Sequence, residues 1–116
     1  MRRSPITTHV LDTARGKPAP GVPVRLEYKG MEGKWLLVGQ ARTDDDGRLM
    51  AWLPEAFELR GGYYRMLFDL ATYATDSGQE AFYLYAHVAF EVKDTKAHYH
   101  IPLLWSPFGY STYRGS

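Results

Sequence analysis

A chain of 116 residues with 14 Lys and Arg against 13 Asp and Glu has a net charge of +1, with the two signs interspersed. That balance excludes the cationic footprint of a nucleic-acid binder or of a protein held on an anionic membrane. The absence of cysteine excludes disulfides and thiolate metal sites, and an aromatic content of 15% with 11 Gly and 7 Pro points to a β-rich domain spanning residues 1–116. The start, Met1-Arg2-Arg3-Ser4-Pro5, is not followed by an apolar segment, and no later run is long enough to span a membrane. A cytoplasmic protein is the expectation.

Ile6 to Asp12 alternates as a strand, placing Ile6, Thr8 and Val10 on one face and Thr7, His9 and Leu11 on the other. His9 thus shares a face with an apolar residue. Thr13 to Gly21 reads as a loop dense in turn residues. Val22 to Tyr28 is expected as a strand, with Pro23 restricting it to an edge or to proline at its first position. Lys29 to Gly33 turns the chain, and Lys34 to Thr43 returns antiparallel in a meander.

Thr43-Asp44-Asp45-Asp46-Gly47-Arg48 gathers three carboxylates beside a glycine. Clustered oxygens suit calcium, but the spaced ligands and distant glutamate of a calcium loop are missing. A solvated hairpin turn is the better reading. Leu49 to Leu53 is expected as a short strand with Trp52, stopped by Pro54, and Gly62 to Leu70 as a longer one. Ala71 to Ser77 is the single helix, ended by Gly78. Ala86 to Val92 is a strand, and Lys93 to Lys96 turns into the C-terminal pair, His98 to Trp105 and Tyr110 to Arg114, joined by Ser106-Pro107-Phe108-Gly109. Tyr99, Ile101, Leu103 and Trp105 form the core face of the first member; His98, His100, Pro102 and Leu104 form the other. The sum is an all-β, two-sheet antiparallel sandwich of about eight strands with one short helix.

Three separated segments carry a resemblance that covers nearly the whole chain. They are Thr8-His9-Val10-Leu11-Asp12 with Gly16-Lys17-Pro18-Ala19, then Thr43 to Arg48, and then His98-Tyr99-His100 with Pro102-Leu103-Leu104, Ser106-Pro107 and the closing Tyr113-Arg114-Gly115-Ser116. They resemble the 5-hydroxyisourate hydrolases, the transthyretin-like or transthyretin-related proteins, whose hallmark is that terminal tetrapeptide. True transthyretins share the fold and resemble the chain around Ser106-Pro107 and Tyr110-Ser111-Thr112 but lack the tetrapeptide. Trp105 departs from the smaller aliphatic residue expected there.

The resemblance implies a transthyretin-like (prealbumin-like) sandwich assembled as a homotetramer whose dimers meet across a channel, with active sites at the dimer–dimer interface. It implies hydrolysis of 5-hydroxyisourate to 2-oxo-4-hydroxy-4-carboxy-5-ureidoimidazoline in urate degradation, without metal or cofactor. The catalytic positions carried over are His9, Arg48, His100 and Tyr113; Arg48, Tyr113, Arg114, Gly115 and Ser116 bind substrate, and His98 is a neighbour. Histidine suits the task because its ordinary pKa lies near neutrality, and one of His9 and His100 is expected to activate water. Arg48 offers charge and a planar set of donors for a polar ring, and the Tyr113 hydroxyl a donor to an oxyanion.

Two other chemistries compete. His98, His100 and His9 could form a three-histidine zinc site, since two of them lie two apart on one strand face. A non-enzymatic carrier would bind an aromatic or hormone-like ligand in the same channel, because fold alone does not assign function. The histidines, Arg48 and the tetrapeptide favour the enzyme. His87 belongs to no motif and is read as structural.

Overall fold

The computed structural model describes residues 2–30 and 32–116. Ten strands and one helix follow in chain order: β1 (Ile6–Asp12), β2 (Lys17–Pro18), β3 (Pro23–Lys29), β4 (Trp35–Arg42), β5 (Arg48–Leu49), β6 (Gly62–Asp69), α1 (Leu70–Ser77), β7 (Tyr85–Val92), β8 (Tyr99–His100), β9 (Leu103–Ser106) and β10 (Gly109–Thr112). They form two sheets. One is an antiparallel set in the order β4-β3-β6-β7; the other runs β10-β9-β1-β2, with β5 and β8 also paired to β1. β1 is therefore the hub of its sheet. Its pairing with β8 and β9 is parallel, and all other pairs are antiparallel.

The expected strand count holds once β8 and β9 are read as one strand interrupted at Ile101-Pro102 and the two-residue β2 is set aside. Pro102 cannot donate to a ladder, and side chains fill the gap. Ile101 N–H still reaches Thr7 O at 2.9 Å, while the Thr8 and Thr112 hydroxyls donate to the carbonyls of Ile101 and Pro102 at 2.5 and 2.6 Å. Pro23 stands at the first position of β3, where a missing N–H costs least.

Two expectations are corrected. The strand placed over Leu49 to Leu53 is only Arg48–Leu49. Beyond Leu49 the Ser4 hydroxyl replaces the ladder, accepting from the N–H groups of Trp52 and Leu53 at 3.0 and 3.1 Å, and the Trp52 indole donates to Ile6 O at 2.8 Å. The turn at Thr43 to Arg48 does not close a hairpin either. It carries the chain from β4 in one sheet to β5 in the other. Asp44 Oδ1 accepts from the N–H groups of Asp46 and Arg48 at 2.9 and 2.8 Å. Gly47 has φ +74°, and a Cβ there would lie 2.4 Å from Val10 O, so glycine alone lets this turn sit against β1.

Parity along the strands builds the core. Ile6, Val10, Leu26, Met66, Phe68 and Leu103 are fully buried between the sheets. The bulky Trp105 is accommodated: it is buried and meets the Tyr73 ring of α1 edge-on at 5.2 Å. α1 starts on the Asp69 carboxylate, which accepts from Thr72 N–H, and ends at Gly78 in the left-handed conformation. The buried Asp12 at the end of β1 accepts from Tyr73 Oη at 2.6 Å, Gln79 Nε2 at 2.9 Å and Arg15 N–H at 3.0 Å. Burial works to raise its pKa, yet these bonds outweigh it and hold the carboxyl below its ordinary value; burial and Asp12 together push the Tyr73 hydroxyl up to about 12.

Candidate active site

The outward face of β1 gathers the histidines. His9 pairs across β1/β5 with Arg48, and Thr7 pairs across β1/β8 with His100. One strand thus places Arg48 on one side of itself and His100 on the other. The turn welded on by Gly47 adds a polar atom, because its Asp46 carbonyl lies 2.9 Å from His9 Nε2. A carbonyl only accepts, so that nitrogen carries a proton, and in the neutral ring the lone pair is on Nδ1.

His98 and His100 share a face of their segment, and the bond that joins them is the Thr7 hydroxyl. Thr7 is fully buried, with Oγ1 2.8 Å from His98 Nε2 and 2.7 Å from His100 Nδ1. Burial first, then the charges of His9, Arg48 and Arg3, lower the His100 pKa; burial first, then Arg3 and His100, lower that of His98. Both imidazoles are therefore biased toward the neutral form, in which a ring nitrogen can accept a proton. Among the described residues, no carboxylate forms an ion pair with Arg48 or with any of these histidines.

The C-terminal residues close over this face unevenly. Gly115 bridges to His100, its N–H donating to His100 O at 2.8 Å, and a Cβ on Gly115 would come within 2.7 Å of His100 Cδ2. The Arg114 guanidinium lies 4.5 Å over the Tyr99 ring and contacts His98 O at 3.5 Å. Tyr113 is 58% exposed and, with Arg114, lines a groove of about 250 Å³ against Val88, Phe90, Tyr99 and Ile101. Ser116 is exposed. His9, Arg48, His98, His100 and Gly115 are thus brought around one sheet face, whereas Arg114 and Tyr113 turn to its rim, with Arg114 over the core-face ring of Tyr99. His87, on β7 of the other sheet, stands apart and lines a separate groove with Arg25, Arg42 and Tyr85. No group of three His, Cys, Asp or Glu among the described residues is placed to hold a metal ion.

The model of the HIUase/Transthyretin family matches residues 6–115. The chain belongs to this family. Within it, 5-hydroxyisourate hydrolase of Salmonella dublin is 43% identical over 111 residues, covering 96% of this chain and 80% of that protein. The 5-hydroxyisourate hydrolase of Mus musculus is 41% identical over 114 residues, covering 97% and 96%. Among solved structures, 5-hydroxyisourate hydrolase of Klebsiella pneumoniae superposes with a TM-score of 0.82 at 31% identity over 100% of both chains. Sea bream transthyretin in complex with thyroxine does so at 0.89, also at 31% identity, over 97% of this chain and 95% of that one.

Backbone likeness therefore does not separate the enzyme and carrier branches of the HIUase/Transthyretin family; the side chains of the site must. Two contributors to that site escape a reading of motifs. Thr7 is one, although it shares the parity of His9 and so was the natural candidate for whatever His9 faces. Arg3, whose charge bears on both paired histidines, is the other, and nothing in its sequence neighbourhood marks it.

Proposed function

We propose that this protein is a 5-hydroxyisourate hydrolase, acting as one transthyretin-like domain over residues 1–116. The observation that carries the reading is the pairing of β1 with β5 and with β8. It sets His9 opposite Arg48 and Thr7 opposite His100, so an imidazole on β1 and another on β8 lie on the same side of a guanidinium with which no carboxylate among the described residues pairs. An unpaired guanidinium on the same face as histidines is suited to a planar anionic or carbonyl-rich ring that must be attacked by water. Arg48 clamps the ring. One of His9 and His100 takes a proton from water as its oxygen attacks the carbonyl carbon, and the other delivers a proton to the departing ring nitrogen. Tyr113, Arg114, Gly115 and Ser116 complete the binding surface, with the Tyr113 hydroxyl donating to the developing oxyanion. The reaction as drawn uses no metal or cofactor.

A single chain leaves this face open, and water exclusion calls for a partner. Phe82, Tyr83, Leu84, Tyr85, Phe108 and Tyr110 are between 39% and 68% exposed. They join into one patch, since Tyr83 meets Tyr110 edge-on at 5.6 Å and Phe82 N–H donates to Pro107 O at 2.8 Å. The patch links the exposed edges β7 and β10 of the two sheets, the kind of surface that association covers. A homotetramer with the active sites at the dimer–dimer interface is the assembly proposed.

The test is one assay. 5-Hydroxyisourate is generated from urate by an oxidase, and its ultraviolet decay is followed with and without the protein. Acceleration over spontaneous decay is expected. Unchanged decay would favour the carrier reading, which predicts tight binding of an aromatic ligand instead.

A further inference from the structure

The Thr7 hydroxyl poses a proton-counting problem. It has one proton to donate, yet it lies within hydrogen-bond distance of a ring nitrogen on each of two histidines. Both contacts are hydrogen bonds only if the hydroxyl donates to one nitrogen and accepts an N–H from the other. Full burial leaves it no water with which to settle the matter differently. Two orders satisfy the count. If His98 donates, His100 Nδ1 accepts and the neutral ring must carry its proton on Nε2, which leaves it no lone pair for water. If His100 donates through Nδ1, its Nε2 is bare.

Resting on the hydrolase reading above, we propose that Thr7 and His98 are positioning residues for His100. The His100 Nδ1–H donates to Thr7 Oγ1, the Thr7 hydroxyl donates to His98 Nε2, and the tautomer so fixed presents His100 Nε2 to the attacking water. A base held by a third group is a recurring arrangement in nucleophile activation. In the step itself, an O–H bond of water breaks, its electron pair forms the new carbon–oxygen bond, and the proton is taken by Nε2. His100 is then an imidazolium whose Nδ1–H already points at Thr7, so no rearrangement is needed. The charged groups bearing on His100 are His9, Arg48 and Arg3, and on His98 they are Arg3 and His100. All are cationic or neutral. Neutral rings joined through a hydroxyl are the arrangement they favour.

The test uses the full chain. Imidazole nitrogen-15 NMR above pH 7.5 is expected to show both His98 and His100 as Nδ1–H tautomers, with His100 moving toward Nε2–H in Thr7→Val. Thr7→Val is expected to lower kcat on 5-hydroxyisourate 10- to 100-fold with KM within about threefold, and Thr7→Ser to restore most of it. His98→Gln, which keeps an acceptor for the hydroxyl, should retain more activity than His98→Phe. A His100 resonance reporting Nε2–H in the unmodified protein overturns the proposal whether or not the variants fold. Equal turnover in Thr7→Val and Thr7→Ser overturns it as well. Failure of the unmodified protein to hydrolyse the substrate sinks the function reading instead, and the tautomers still decide the order of the hydrogen bonds.

Discussion

The outer faces of the two sheets treat charge in opposite ways. On the β4-β3-β6-β7 sheet, Glu27 is almost buried and takes Arg65 Nε at 2.6 Å and Arg25 at 3.2 Å, while the Arg65 guanidinium also lies 4.3 Å over the Trp35 ring. Its two arginines share one carboxylate. On the sheet organised by β1, His9, His98, His100 and Arg48 collect with the charge of Arg3 bearing on them, and among the described residues no carboxylate pairs with any of the five. Compensated charge holds a surface together, whereas uncompensated charge held beside part-buried imidazoles costs stability and makes sense where a ligand supplies the missing sign. The contrast separates structure from function on one small molecule.

The largest break in that contrast comes from His100→Ala, which is expected to reduce kcat by about 10²–10⁴-fold, the range typical of a positioned acid or base. Circular dichroism should be unchanged, since the ring is only part-buried. Turnover near the unmodified value would mean that the face is merely cationic. Removing Arg114 to Ser116 comes next. It deletes the Gly115 N–H bond to His100 O and the guanidinium over Tyr99, and no core side chain goes with them. A folded sandwich without hydrolase activity is expected; an active truncated chain would detach the tetrapeptide from the site.

The compensated face should answer in the other currency. Glu27→Ala strands two arginines that are 29% and 50% exposed, so solvent relieves part of the penalty of an uncompensated charge. A loss of about 1–3 kcal/mol in urea denaturation is expected, below the range for fully buried pairs. With kcat unchanged, the two faces are independent. A fall in kcat beyond twofold would show that they are coupled through the core.

Much of this was legible in the sequence, and the omissions share a cause. Period-2 alternation placed Leu103 and Trp105 inward and set Ile6 and Val10 on the face opposite His9, and all four are buried. It left His9, His98 and His100 on faces outside the core, where the structure has them. Gly78 and Pro23 marked a helix end and a strand start correctly because each acts through its own backbone. What failed depends on distant partners. Leu49 to Leu53 has a strand's composition, but Ser4, just ahead of β1, offers it a hydroxyl in place of a ladder. The Thr43 to Arg48 segment has a hairpin's composition, but it crosses between sheets, and the reason for Gly47 is Val10 O, 37 residues earlier in the chain. Thr7 went unremarked because its role requires knowing that β8 pairs with β1 in parallel. Local chemistry is written locally; the site is written in registers.

The smallest effect is on pH dependence, and it tells the part-buried histidines apart from the buried Asp12. His98 and His100 titrate below 6.5 in the folded protein. A base whose folded pKa is depressed stabilises the fold as the neutral species. Its contribution is complete above 6.5 and is lost as the pH falls from 6.5 through the folded values, because the unfolded chain then binds more protons. Asp12 is held below 3.8, so its contribution persists above 3.8 and is lost only as the pH falls further, through its folded pKa. Thermal melts taken downward from pH 8 should therefore decline in two stages, the first from the histidine face and the second from the Asp12 junction with Tyr73. The double variant His98→Gln, His100→Gln should remove the first stage and leave the second. Activity tracks the first stage alone: kcat/KM should stay level down to pH 6.5 and fall below it, as His100 becomes protonated before substrate arrives. An acid limb centred above 6.5 would assign the essential base to a group other than the part-buried pair His98 and His100.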